Sequence, residues 1–271
     1  MSKVWFITGA GRGFGKEFTK AALSRGDKVA ATARNTESLT DLVVDYGDAI
    51  LPIALDVTDR EVVFTAIEQA KETFGRIDVV VNNAGYGLFG AVEELTPEEL
   101  QAQLDVNLFG PFNVTQAVVP VLREQGAGHI IQISTVGGVA AFPILGGYHA
   151  SKWALEGLTE SLAQEVAGFG IKVTLVEPAG YATDWGGGSA KWATALPQYE
   201  EIKAAVFATG GGLQADPVGV GPAILRVADA EQPPLRVFFG AQALPIAEGV
   251  YASRLETWRQ GQGISALAER Q

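Results

Sequence analysis

A phenol and an ammonium stand four positions apart at Tyr148 and Lys152, and a serine, Ser134, lies fourteen positions before the phenol. In a helix, positions i and i+4 share one face. A proton donor and a cation would then point into one volume, and a serine at the end of a preceding strand can reach it. This is the equipment for protonating a carbonyl oxygen, provided a hydride donor is held beside it. A free tyrosine titrates near 10, and moving it down by roughly three units takes ~4 kcal/mol of preferential stabilisation of the phenolate. A neighbouring ammonium in a desolvated site can contribute much of that.

A place for the hydride donor is visible at the other end of the chain. The loop Thr8-Gly9-Ala10-Gly11-Arg12-Gly13-Phe14-Gly15 follows a short apolar run, Val4 to Thr8, and opens a helix-like stretch, Gly13 to Arg25. Glycines let a backbone approach a ligand closely, and a helix N-terminus offers N–H groups and a positive dipole to a diphosphate. The usual G-x-G-x-x-G fingerprint is broken by Phe14, and the spacing is T-G-x-x-x-G-x-G. The next strand ends Ala31-Thr32-Ala33-Arg34-Asn35 without a carboxylate. An acid there bonds the ribose hydroxyls of NAD, whereas an arginine suits the 2′-phosphate of NADP. Arg34, with Arg12 from the glycine loop, therefore points to NADP(H) over NAD(H).

The elements that must position these groups alternate. Strands are expected at Val4 to Thr8, Lys28 to Ala33, Ile50 to Leu55, Asp78 to Val81, His129 to Ser134, Lys172 to Val176 and Arg236 to Phe239. Helices are expected at Gly13 to Arg25, Ser38 to Tyr46, Asp59 to Phe74, Thr96 to Leu122 with a bend near Gly110-Pro111, and Tyr148 to Phe169. Strands alternating with helices imply parallel pairing through crossovers, and their continuous apolar runs imply a sheet covered on both faces. One α/β domain spanning 1–271 is expected. An insertion at about 184–215, bearing two glycine runs and the tryptophans Trp185 and Trp192, is expected to cover the substrate.

Composition narrows the function classes. The chain has 271 residues, 47% of them hydrophobic, and a formal net charge of −11. Such acidity disfavours nucleic acid and anionic membranes as partners. No apolar run is long enough to span a bilayer. With no cysteine and two histidines far from any acid cluster, no metal site is expected. Absent cysteine also suits a cytoplasmic protein.

With these motifs in order, the chain resembles the short-chain dehydrogenase/reductase family over nearly its whole length. The resemblance rests on Thr8-Gly9-x-x-x-Gly13-x-Gly15, Asp56-Val57, Asn82-Asn83-Ala84-Gly85, the set Asn107, Ser134, Tyr148 and Lys152, and Pro178 with Thr183 five residues on. Ala179 stands where the family usually has glycine, with Gly180 next. The resemblance implies a doubly wound Rossmann-fold sheet in the order 3-2-1-4-5-6-7, with its site at the carboxyl ends of the strands. It implies catalytic roles for Asn107, Ser134, Tyr148 and Lys152: Tyr148 as proton donor, Ser134 on the substrate oxygen, Lys152 on the ribose, and Asn107 placing a water between Lys152 and solvent. It implies cofactor contacts from Gly9, Gly11, Arg12, Gly13, Phe14, Gly15, Arg34, Asn35, Asp56, Val57, Asn83, Ala84, Gly85, Pro178, Gly180 and Thr183, besides Tyr148 and Lys152. A homodimer or homotetramer is implied as well.

The expected substrate wall is Phe142, Ile144, Leu145, Tyr181, Trp185 and Trp192, an apolar lining suited to a bulky hydrophobic ketone or secondary alcohol. Three other readings stand beside NADP(H)-dependent carbonyl reduction. One is an NAD(H)-dependent alcohol or steroid-type dehydrogenase or 3-oxoacyl reductase. A second is another reaction, such as epimerisation, on the same site. The last is a dinucleotide-binding regulator without turnover.

Overall fold

The first strand, β1 (Val4–Ile7), is buried along its whole length, and its side chains alternate between two cores. Trp5 and Ile7 face one core; Phe6 faces the other. That alternation within an unbroken apolar run is what a strand with helices on both sides requires. The computed structural model describes residues 2–182, 185, 187–210 and 215–269.

Following β1 come α1 (Gly13–Ser24), β2 (Lys28–Ala33), α2 (Thr40–Tyr46), β3 (Ile50–Ala54), α3 (Arg60–Phe74) and β4 (Val79–Asn82). The chain continues through β5 (Leu88–Phe89), α4 (Pro97–Leu104), α5 (Gly110–Gln125), β6 (Gly128–Ile133), α6 (Gly146–Val166), β7 (Ile171–Pro178) and β8 (Lys191–Trp192). It ends with α7 (Glu200–Gly210), α8 (Val220–Asp229), β9 (Arg236–Phe239), α9 (Ala243–Gln260) and α10 (Gln262–Ala268). Seven strands form one parallel sheet in the order β3-β2-β1-β4-β6-β7-β9. This is the expected doubly wound order once β5 and β8, which pair only with each other, are set aside. One core packs the sheet against α1 and α8, through Phe18, Ala22, Val220 and Ile224. The other packs it against α3, α5 and α6, through Val63, Ile67, Val114, Val118 and Leu162.

Local chemistry sets the helix limits. Asp59 caps α3 by accepting the N–H groups of Glu61 and Val62, and Gly75 ends it at φ +80. Thr96 and Glu99 form a reciprocal capping box at the start of α4, with Pro97 in the first turn. The expected break near Gly110-Pro111 takes the form of a π turn: α4 ends at Leu104, and Asp105–Phe109 joins it to α5, which begins at Gly110. Pro111 then falls in the first turn of α5, where a missing N–H is tolerated. No helix among the described residues is long and apolar enough to cross a membrane.

Candidate active site

The carboxyl ends of β1, β4, β6 and β7 converge, and Thr8 fastens the first two. Its hydroxyl accepts the N–H groups of Asn83 (2.9 Å) and Ala84 (3.0 Å) and lies 3.4 Å from the Val81 carbonyl. The Asn83 amide donates back to the carbonyls of Thr8 (3.0 Å) and Gly9 (3.2 Å). Asn83 is thus spent on holding the glycine loop. A Cβ on Gly15 would lie 2.2 Å from the Gly9 oxygen, and one on Gly11 would lie 2.2 Å from Ser38 Oγ. Gly9 and Gly13 sit at φ +66 and +51, which favours glycine for a different reason. The first turn of α1 carries no acid, and Arg12 makes no side-chain cap there. This cradle of small residues at a helix N-terminus has the donor set and the electrostatics a diphosphate requires. Arg34 is exposed at the end of β2, and Asn35 caps the following turn by accepting Glu37 N–H at 2.9 Å.

On α6, Tyr148 and Lys152 share a face as expected, at 6% exposure each. Lys152 Nζ donates to the Ile133 carbonyl at 2.8 Å. Burial lowers its pKa to about 8, and the charge of Glu156 opposes that shift. Burial pushes the Tyr148 phenol up from its ordinary value, and the hydroxyl of Thr135 opposes. Tyr148 therefore stays protonated in the chain by itself. Asn107, in the π turn, is fully buried. Its Oδ1 accepts Tyr86 N–H at 3.1 Å, and its amide donates to the Tyr86 carbonyl (3.0 Å) and Ser151 Oγ (3.2 Å). A Cβ on Gly85 would lie 3.1 Å from Asn107 Oδ1 and 3.8 Å from Lys152 Nζ, so these two groups close on one point.

The serine expected here is displaced. Ser134 Oγ is buried against Gly138 and Glu156, where a Cβ on Gly138 would come 2.6 Å from Ser134 Oγ and 2.9 Å from Glu156 Oε1. The hydroxyl that meets Tyr148 belongs to Thr135. Thr135 lies in extended backbone at φ −170, and successive side chains of an extended chain point to opposite sides.

A family model described as short chain dehydrogenase matches residues 3–194. The chain is 43% identical over 269 residues to "Oxidoreductase BOA17" of Botryotinia fuckeliana, covering 96% of this chain and 98% of that one. The chain belongs to the short-chain dehydrogenase family. A short-chain dehydrogenase from Streptomyces avermitilis superposes with a TM-score of 0.93 at 39% identity, covering 99% of this chain and 98% of that one. A short chain dehydrogenase from Burkholderia cenocepacia, solved in complex with NADP, superposes at 0.76 with 28% identity, over 96% and 97% of the two chains.

For this short-chain dehydrogenase the remaining expected positions divide. Asp56 accepts the N–H (3.0 Å) and hydroxyl (2.8 Å) of Thr58, which forms a turn at the end of β3. Val57 is a packing residue: it is buried, meets Gly110 closely, and its carbonyl takes the Asn113 amide at 3.1 Å. Phe14 packs on Phe18 and, edge-on at 4.9 Å, on Tyr181. Tyr181 thus sits on the glycine-loop side and not with the aromatic residues around Tyr148. The Pro178 carbonyl lies 3.4 Å from the Thr135 hydroxyl that donates to it, and the Gly180 carbonyl accepts Ala215 N–H at 3.1 Å. Thr183 lies outside the described residues, as do 184, 186 and 211–214 of the expected insertion.

Over Tyr148 lies an aromatic group that includes Phe89, a residue outside the expected substrate wall. Trp185 approaches Tyr148 at 4.9 Å and Phe89 at 5.2 Å, and Trp192 stacks on Phe89 at 4.6 Å. Gly87 makes room, since a Cβ there would lie 2.7 Å from Trp185. Ile144, at φ +61 and buried, gives its carbonyl to Gly90 N–H at 2.8 Å, and Leu145 bridges to Gly90. Those two fasten β5 to the start of α6. Phe142 is 36% exposed, and its N–H donates to His149 Nε2 at 2.9 Å. Glu94 is a second residue not anticipated. Its buried carboxylate accepts Ala91 N–H (2.8 Å), Leu196 N–H (2.7 Å) and Lys203 Nζ (2.6 Å), binding α7 to the segment after β5. These bonds, led by that from Leu196, hold its pKa down to about 2.

Proposed function

We propose that this oxidoreductase is NADP(H)-dependent and reduces a hydrophobic ketone, or oxidises the corresponding secondary alcohol. The observation that carries the reading is the gathering of the Tyr148 phenol, Thr135 hydroxyl, Lys152 ammonium and Asn107 amide at the strand ends beside the glycine cradle. Bound NADPH supplies the hydride. Tyr148 donates its proton to the carbonyl oxygen and recovers it in oxidation. Thr135, in the place expected of Ser134, hydrogen-bonds that oxygen. Lys152 stabilises the phenolate left behind, which burial alone disfavours. Asn107 holds the Tyr86 backbone and, beside Lys152, the way by which the proton is replaced from solvent.

Arg34, with no acid at the end of β2, favours the 2′-phosphate, and the NADP-bound Burkholderia relative is in keeping with it. Phe89, Trp185 and Trp192 form the apolar cover, as part of a lid over a single catalytic domain. A homodimer or homotetramer in the cytoplasm completes the reading, and sedimentation tests the assembly. The deciding experiment compares kcat/KM for NADPH and NADH over a panel of aryl ketones, steroids, short diketones and acyl thioesters. NADPH with bulky ketones is expected. A preference for NADH, or an Arg34→Ala variant with unchanged KM for NADPH, overturns the cofactor assignment. A preference for small polar thioesters overturns the substrate class.

A further inference from the structure

One turn beyond Lys152, α6 carries a glutamate that this chemistry does not use. Glu156 is buried, and Glu177, near the end of β7, is completely so. Glu156 Oε1, both carboxyl oxygens of Glu177 and Ser134 Oγ are all buried. Arg236 of β9 faces the pair, its Nε 3.2 Å from Glu156 Oε2 and 3.4 Å from Glu177 Oε1, and its outer nitrogen 3.0 Å from Glu160 Oε2. From β6, Ser134 faces Glu156 across Gly138. From α9, Glu248 and Tyr251 line a cavity of about 280 Å³ together with Glu177 and Arg236. Along α6 the neighbours four positions away are Lys152 and Glu160.

Two buried carboxyl groups beside one guanidinium cannot both ionise cheaply, so the ionisation of one is linked to that of the other. Burial raises Glu177, and the charge of Glu156 raises it further. Burial raises Glu156 as well, with Ser134 and then Arg236 opposing. Fastening β9 to α6 needs Arg236 and one acid. The second acid is surplus to that task, and it costs desolvation.

We propose that Glu156 and Glu177 form a positioning pair for Lys152: Glu156 keeps the buried Lys152 an ammonium, and the proton shared with Glu177 sets the pH range over which it does so. The proposal rests on the reading of Tyr148 and Lys152 as the proton-transferring groups. As pH rises and the pair releases its shared proton, a second negative charge appears below Lys152. The ammonium therefore persists to higher pH than burial alone would allow.

The test follows Lys152 itself by ¹⁵N-lysine NMR on the full chain, with Lys152→Arg to assign its signal. The pH profile of kcat/KM with NADPH and an aryl ketone is measured beside it. Glu156→Gln is expected to lower the Lys152 titration, and the alkaline limb of the profile with it, by about one pH unit. Glu177→Gln moves both the same way by less, and Glu156→Asp restores most of the shift. If Glu156→Gln and Glu177→Gln lower Tm yet leave both titrations at their wild-type positions, the pair is a fastening only and the proposal is overturned. Should Glu156→Gln fail to fold, an unshifted Lys152 in Glu177→Gln overturns it equally. A wild type that reduces no carbonyl would defeat the functional reading, while the Lys152 titration still decides the role of the pair.

Discussion

The cofactor cradle and the aromatic cover over Tyr148 are built on opposite principles. In the cradle, backbone geometry dominates: Gly9, Gly11, Gly13 and Gly15 stand where a Cβ would collide or where φ is positive, and Thr8 and Asn83 knit the loop through main-chain partners. In the cover, side chains dominate: Trp185, Phe89 and Trp192 pack on one another and on Tyr148, and Glu94 anchors the segment behind them. A backbone-defined site tolerates almost no substitution at its glycines. A side-chain-defined cover can be re-cut residue by residue without losing the fold, which suits one family to many substrates.

Four measurements can break or sharpen that contrast. The largest effect is expected at the proton donor between the two regions: Tyr148→Phe should cut kcat by about 10³-fold, within the span general acids supply, and leave NADPH binding intact by fluorescence titration. Next comes the cradle. Gly15→Ala forces a Cβ to 2.2 Å from the Gly9 oxygen, so it should destabilise by roughly 1–3 kcal/mol and abolish cofactor binding. Its control is exposed Gly157→Ala on α6, where nothing lies within 4 Å of the added carbon; Tm there should hold or rise slightly.

Thr135→Ala should lower kcat/KM by about 10²-fold, the scale of losing one donor to a developing oxyanion, whereas Ser134→Ala should leave the same step nearly unchanged. Equal losses would return the role to Ser134. The smallest effect belongs to the cover: Glu94→Gln should raise the ketone KM severalfold with little change in kcat. Its anchor also has a defined acid limit. Because the folded pKa is depressed from 4.5 to about 2, the stability it contributes is complete above pH 4.5 and lost as pH falls towards 2. Protease sensitivity near Leu196 and Lys203 should rise within that window and not above it.

The same contrast explains what could be read from the chain. Strand order, the glycine loop and the Tyr148–Lys152 face were legible because each follows from apolar continuity, backbone space or helical period. Ser134 and Thr135 were not distinguishable, since two adjacent hydroxyls in extended chain point to opposite sides and spacing does not say which side holds the phenol. Phe89 looks like any core phenylalanine until β8 is brought beside it. Glu94 looks like a solvated acid until Lys203 and Leu196 arrive from far along the chain. Gly110-Pro111 marked where the long helix breaks, but nothing in the sequence marks that the break is a π turn over Asp105–Phe109. In α9 only Ala243 and Ala247 are buried, so its pattern carries little amphipathic signal.

The ribbon of β5 and β8 also bears on how the chain reaches this state. Its two residue pairs, Leu88 with Lys191 and Phe89 with Trp192, join segments separated in the chain by two strands of the main sheet, β6 and β7, and their helices. So long a loop can close only after the main sheet has brought its ends together, which makes the ribbon a late event in folding and an early one in local opening. The Lys191 and Ala193 amides, bonded to the Gly87 and Phe89 carbonyls at 2.9 Å each, should therefore exchange with solvent deuterium well before those of β4. The aromatic cover over Tyr148 is then carried by the part of the molecule that is last to fold and first to open.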